Sequence, residues 1–205
     1  TLLGQNVNAF NFEGKKLSDL ILEIAKINEL KRIRYTTSHP KDFTEDLIRA
    51  HKNCKKLMPF IHLPVQSGSN KVLKQMNRNH SIEEYIELID KLKNTIPNLQ
   101  FSSDFIIGYP GETEDDFEKT LDIMSKVKFT NSYSFVYSTR PGTPSSNLKK
   151  INNDITKKRL MIFQHIANKI KTDYREKLLT KISPVLFENK TKEKNKYFGR
   201  DEWFN

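Results

Sequence analysis

The sequence predicts an α/β protein: a partial, TIM-like parallel (β/α) barrel, followed by the start of a small all-β module. Three observations carry this. Strand-like, loop and helix-like stretches alternate at least four times between Thr1 and Lys150, which implies a parallel sheet with right-handed crossovers. The strand-like runs each have one apolar and one polar face, as in a barrel interior open to a ligand rather than a sheet buried on both sides. Beyond residue 181 the pattern changes to two short strand-like runs joined by a lysine-rich hairpin. About five strands are too few for an eight-stranded barrel, so either strands lie upstream or the barrel is partial.

Taken in order, Thr1 to Leu3 read as a strand end, with Gly4-Gln5-Asn6 as its loop. Leu17 to Ile27 repeat apolar residues at helical spacing. Arg32 to Thr37 read as a strand, broken at Ser38-His39-Pro40 because Pro40 keeps His39 out of the helical region. Thr44 is a candidate cap for a short helix to Lys52. Phe60 to Val65 form a strand, with Ile61, Leu63 and Val65 on one face and His62, Pro64 and Gln66 on the other. A helix begins across Asn70 to Met76. Ser81 and Glu84 make a capping box for a helix from about Ile82 to Asn94.

The most informative stretch is Phe101 to Asp116. Phe101, Ser103, Phe105 and Ile107 share one strand face, and Ser102, Asp104, Ile106 and Gly108 the other. The second face thus carries a carboxylate in mid-strand, where Asp is disfavoured. The turn Gly108-Tyr109-Pro110-Gly111 leads to a second capping box, Thr113 with Asp116, and a helix to about Lys126. Ser132 to Tyr137 form the next strand, ending in the polar loop Ser138 to Thr143. Residues 156 to 181 read as one long helix with the apolar stripe Leu160, Phe163, Ala167, Ile170, Tyr174 and Leu178. Its other faces hold eight basic residues, Lys157, Lys158, Arg159, Lys169, Lys171, Arg175, Lys177 and Lys181, against Asp173 and Glu176, a net of +6. Those charges are expected to face outward. Pro184 to Glu188 and Tyr197 to Phe204 are the closing strands, joined by Asn189 to Lys196.

Composition narrows the function classes. The net charge is +10, with 35 Lys+Arg against 25 Asp+Glu, which favours an anionic partner such as RNA. One cysteine, Cys54, excludes an internal disulfide and an internal cysteine cluster, and it is expected in the core or at a helix end. No stretch resembles a signal peptide or a membrane span, so a cytoplasmic location is expected. The chain starts and stops inside strand-like runs, so a fragment of a longer protein is expected.

Five motifs occur in order: GQNVNAF from Gly4, RIRYTTSHPKD from Arg32, HLPVQSGSNKVLKQMNR from His62, SSDFIIGYPGETEDDF from Ser102 and YSTRPGTPS from Tyr137. Together they resemble the MiaB family, the radical S-adenosylmethionine (SAM) tRNA methylthiotransferases. GQNVN, TSHPKD and LPVQSGS look like the branch acting on isopentenyladenosine next to the anticodon. Sister branches act on threonylcarbamoyladenosine in tRNA or on a ribosomal protein. The resemblance implies an N-terminal methylthiotransferase domain, missing here, a radical SAM partial barrel over residues 1–180, and a C-terminal TRAM module that begins at 181–205. It implies SAM and two 4Fe-4S clusters, an electron donor, tRNA as partner and a monomer. The cluster cysteines are expected upstream of Thr1, and lone Cys54 cannot replace three thiolate ligands.

The resemblance further implies SAM contacts from Gln66, Arg78 in the helix after it, Asp104, Gly108 and Gln5. Arg suits the cofactor's carboxylate and Asp or Gln its ribose hydroxyls, while Ile107, Gly108 and Tyr109 are placed for its adenine. Arg140, in the loop after the last barrel strand, is expected to serve RNA, as are Lys192, Lys194 and Lys196. No catalytic acid or base is expected, because radical hydrogen abstraction needs none near pH 7. Two other classes remain: a non-catalytic RNA-binding barrel, and an α/β-barrel enzyme with a phosphate site at Gly108 to Thr113.

Overall fold

The computed structural model describes residues 1–36, 38–203 and 205. Its centre is a three-stranded parallel sheet in the order β3-β4-β5, built from β3 (Phe60–His62), β4 (Gln100–Ile107) and β5 (Asn131–Val136). Parallel bridges extend this series on one side, Ile33 to Leu57 and Leu2 to Tyr35. The expected strands at Thr1–Leu3 and Arg32–Thr37 therefore survive only as single bridges, and Thr37 lies outside the described residues. The five parallel segments form a partial barrel wall, as the alternation predicts.

The helices cover the outer side of this wall. They are α1 (Leu17–Ile24), α2 (Glu45–Asn53), α3 (Asn70–Gln75), α4 (Ile82–Thr95), α5 (Glu114–Val127) and α6 (Asn153–Glu176). Both predicted capping boxes form, Ser81 with Glu84 on α4 and Thr113 with Asp116 on α5. Thr44 takes the cap position of α2, but its side chain makes no capping bond. Cys54 ends α2 and is buried, as expected. A short hairpin that the sequence reading omitted, β1 (Asn11–Phe12) with β2 (Lys15–Lys16), turns through Glu13 and Gly14, both at positive φ.

The core lies between sheet and helices. Phe105 of β4 meets Phe129 edge-on and Phe163 of α6 at a tilt, with centroids 5.5 and 4.7 Å apart. Leu63 is fully buried, and its carbonyl accepts the Tyr85 hydroxyl of α4. Burying each such ring or branched side chain contributes about 1.5–3 kcal/mol. Leu63 and Phe105 therefore face helices, as their strand positions require.

Helix α6 spans 153–176, not 156–181. Lys177 and Lys181 fall beyond its end. Its tail leads to the antiparallel hairpin β6 (Leu186–Lys190) and β7 (Tyr197–Arg200), which carries a register shift between Phe187 and Asn189. Arg32 holds the base of this hairpin, donating to the carbonyls of Pro184, Arg200 and Asp201 at 2.6–2.9 Å. Trp203 Nε1 donates to the Asn98 carbonyl, just before β4. The hairpin is thus anchored at the amino ends of the barrel strands. No helix among the described residues is long and apolar enough to cross a membrane.

Candidate functional site

A cavity of about 920 Å³ opens at the carboxyl ends of β4 and β5. The period of two along β4 sends Asp104 and Ile106 into it, and the same alternation on β5 adds Phe135. Gln66, Arg78, Tyr109, Tyr137 and Arg140 complete the polar and aromatic lining. Ligands of open α/β sheets and barrels sit in this place. The cavity therefore brings together five of the residues singled out in the sequence: Gln66, Arg78, Asp104, Tyr109 and Arg140.

Gln66 reaches the cavity through a defect in the strand. After Leu63, whose N–H still donates to the Ser102 carbonyl at 2.8 Å, the regular ladder is interrupted across Pro64 and Val65. Ser103 repairs the gap, its hydroxyl accepting the Val65 N–H at 2.9 Å. The chain rejoins β4 at Gln66, whose N–H goes to the Asp104 carbonyl and whose carbonyl accepts from Ile106, both at 2.9 Å. Gln66 has φ of +75°, a conformation that costs a non-glycine residue about 1–2 kcal/mol. Its neighbours hold it there. Ser69 caps α3 and donates to Asp116 at 2.6 Å, Lys71 pairs with the same carboxylate at 2.7 Å, and Gly68 packs so tightly on α5 that a Cβ would lie 2.1 Å from the Lys119 carbonyl oxygen.

Among the described residues the Asp104 carboxylate has one close side-chain partner. His62 Nε2 lies 3.4 Å from its carboxylate, and His62 Nδ1 shares a 2.8 Å hydrogen bond with Ser102. His62 thus braces the carboxylate of interest. Arg78 is not within a helix, because α3 ends at Gln75 and Asn77 adopts positive φ. This turn carries the half-buried guanidinium to the cavity. Burial pushes its pKa down, opposed by the nearby Asp104 carboxylate. No hydrogen bond or ion pair holds that guanidinium among the described residues. The buried Tyr137 hydroxyl likewise has no partner among them.

Three expected contacts lie elsewhere. Ile107, on the Phe105 face of β4, is fully buried in the core and does not line the cavity, whose wall is Ile106 instead. Gln5 is exposed on its loop and does not line the cavity. Gly108 faces away from it: its N–H donates to the Glu112 carboxylate at 3.2–3.3 Å, and a Cβ there would lie 2.5 Å from Thr156 of α6. Arg159 of α6 also differs from expectation. It is buried rather than outward-facing, donating to Glu112 and Glu114 at 2.8 Å. The turn from Gly108 to Thr113 is therefore filled by the chain's own carboxylate, whose pKa is raised by burial against the pull of Arg159. An anion-binding turn would present free N–H groups to phosphate, so the phosphate-site reading fails here. Sequence reasoning missed Glu112. Its position beside Gly111, just before an acidic first turn, hid it among cap residues.

Lys192, Lys194 and Lys196 are exposed between β6 and β7, and Lys196 pairs with Glu193. Among the described residues no group of three His, Cys, Asp or Glu could hold a metal ion.

The sequence profile of the radical SAM superfamily matches residues 4–124. Curated relatives named tRNA-2-methylthio-N(6)-dimethylallyladenosine synthase align along nearly the whole chain. That of Pelagibacter ubique is 54% identical over 98% of this chain and 46% of its own length, and that of Zymomonas mobilis is 47% identical over 99% and 47%. The chain spans about half the length of the curated relatives it matches. Among solved structures, coproporphyrinogen III oxidase (HemN) from Escherichia coli superposes with a TM-score of 0.57 at 14% identity, over 75% of this chain and 37% of that one. Methanocaldococcus infernus Elp3 does so with 0.52 at 18%, over 77% and 46%. The profile match, the partial parallel barrel and the cavity at its carboxyl end agree: the chain belongs to the radical SAM superfamily.

Proposed function

We propose that this chain is the barrel part of a radical SAM tRNA methylthiotransferase, which adds a methylthio group to C2 of the dimethylallyl (isopentenyl) adenosine next to the anticodon. The intact protein would act on tRNA in the cytoplasm as a monomer, with an electron donor. Residues 1–180 would be the barrel core and 181–205 the beginning of a TRAM module, with a methylthiotransferase domain upstream. The observation that carries the reading is the convergence of Gln66, Arg78 and Asp104 on one cavity. Relatives about half identical along this length carry the synthase name.

The residues present fit SAM. Arg78 offers an uncommitted guanidinium to its carboxylate. Asp104, steadied by His62, and Gln66 offer acceptors and donors to its ribose hydroxyls. Ile106 and Tyr109 wall the adenine side. Gly108 and Gln5 stand outside this group. The residues present do not fit an iron–sulfur cluster, because the sole thiol is Cys54, buried in the core. Ligands for two 4Fe-4S clusters would come from sequence upstream of Thr1. SAM beside such a cluster supplies radical hydrogen abstraction and a methyl group. The chain's own task is to bind, orient and keep water out.

The experiment is SAM binding by calorimetry. Asp104→Ala is expected to weaken SAM binding by about 1–3 kcal/mol, the scale for losing a charged hydrogen-bond partner. Unchanged affinity would remove Asp104 from the cofactor site.

A further inference from the structure

Strand β5 is inverted relative to an ordinary strand beneath a helix. Its small polar residues, Ser132 and Ser134, are partly covered, and Gln164 of α6 donates to the Ser134 hydroxyl at 3.5 Å. Its large rings face the other way. Tyr133 stands opposite Asp104 in register and Phe135 opposite Ile106, so both share the cavity face of β4. They remain 51% and 56% exposed. Phe135 and Val136 line the cavity beside Ile106 and Tyr137, and Tyr133 meets His62 edge-on with centroids 6.2 Å apart. A helix-covered strand that turns serines to its helix and aromatics to an open cavity is arranged for a ligand, because the opposite order would bury more apolar surface in the empty protein.

Resting on the reading above, we infer that Tyr133 and Phe135 are the wall on which the substrate adenine stacks, and that Phe135, Val136 and Ile106 receive its apolar N6 substituent. Three features favour a base of an RNA over another occupant. The wall is flat and aromatic, and every base has a face that stacks on such rings. Arg140 sits on the rim of the same cavity, where a splayed-out nucleotide brings its phosphate. The polar groups Gln66, Arg78 and Asp104 line the same cavity beside the β5 rings, so a base on those rings would lie against whatever the polar groups hold. The apolar end of the wall sets specificity: it accepts a branched hydrocarbon, and a substituent ending in a carboxylate would lose its hydration there without gaining a partner.

The test uses the intact cluster-loaded protein and two anticodon stem-loops, one with dimethylallyladenosine and one with unmodified adenosine. Binding is followed by fluorescence anisotropy, with SAM affinity measured on the same samples. Tyr133→Ala/Phe135→Ala is expected to bind the modified stem-loop about 5- to 100-fold more weakly, the range for one base–aromatic stack. Phe135→Ala alone is expected to abolish the preference for the modified stem-loop, and Tyr133→Phe to keep it. SAM affinity should stay within about two-fold in all three. Wild-type preference in the double variant, with SAM affinity intact, overturns the stacking wall while leaving the cofactor reading in place. A double variant that loses SAM instead shows that the rings hold the cofactor, which also overturns it. Failure of the parent reading shows separately, as wild-type SAM affinity in Asp104→Ala.

Discussion

At the scale of single residues, the most consequential contact is one that charge counting placed wrongly. Arg159 reads as one more lysine-like charge on a basic helix, yet it is buried against Glu112. A guanidinium goes inside only where a carboxylate meets it with good geometry, and Glu112 is the partner that sequence periodicity could not reveal. Arg159→Met is expected to destabilise the fold by about 3–5 kcal/mol, because it strands a buried carboxylate. Arg159→Met/Glu112→Gln should recover much of that loss, since glutamine still accepts the Gly108 N–H without a charge. Urea denaturation of the two variants measures the difference, and equal losses would show that the pair's charge is irrelevant. Asp104 was legible for the opposite reason: a carboxylate in mid-strand is unusual enough to stand out. Arg78 was found by type, but its position in a turn depends on Asn77 at positive φ, which no spacing announces.

At the scale of elements, the strand alternation and both capping boxes could be read because they depend on neighbours within four residues. The edges of the barrel could not. Leu2 pairs with Tyr35, 33 residues on, and Ile33 with Leu57, 24 residues on, and only single bridges result among the described residues. The hairpin β6–β7 was visible as two apolar runs about a lysine-rich turn, but its docking through Arg32 is a long-range event. That docking fixes the base of the hairpin and leaves its lysines exposed. With tRNA as the proposed partner, neutralising Lys192, Lys194 and Lys196 in the intact protein is expected to weaken binding to all tRNAs alike and to flatten the salt dependence, because phosphate contacts carry no sequence information. Binding isotherms at several salt concentrations test this. An unchanged slope of log affinity against log salt would show that these lysines only face solvent.

At the scale of the whole molecule, acid sensitivity follows from a buried histidine. His51 packs on Tyr35 and Phe43, shares a 2.6 Å hydrogen bond with the Tyr35 hydroxyl, and has its pKa lowered by burial to about 3. Unfolded, it titrates near 6.5. Between those values the unfolded chain binds the extra proton, so stability is complete above about pH 6.5 and falls as the pH drops. At pH 5 the loss from His51 alone is about 2 kcal/mol. Buried His80, lowered to about 4, acts in the same direction. Urea midpoints between pH 5 and 7.5 should show the decline, and His51→Gln should reduce its steepness. A flat profile would exclude a neutral buried imidazole.

The inverted strand has a colloidal consequence as well. Strand β5 ends the sheet, and among the described residues no further strand pairs with its outer edge. Its sequence, NSYSFV, has no charge, proline or glycine, the composition that pairs edge to edge between copies. The exposed rings of β5 thus also form an apolar strip along this edge strand. Long-range repulsion from a net charge of +10 opposes that pairing, so raising the salt concentration should promote self-association of the ligand-free state, while an occupant on β5 covers the strip.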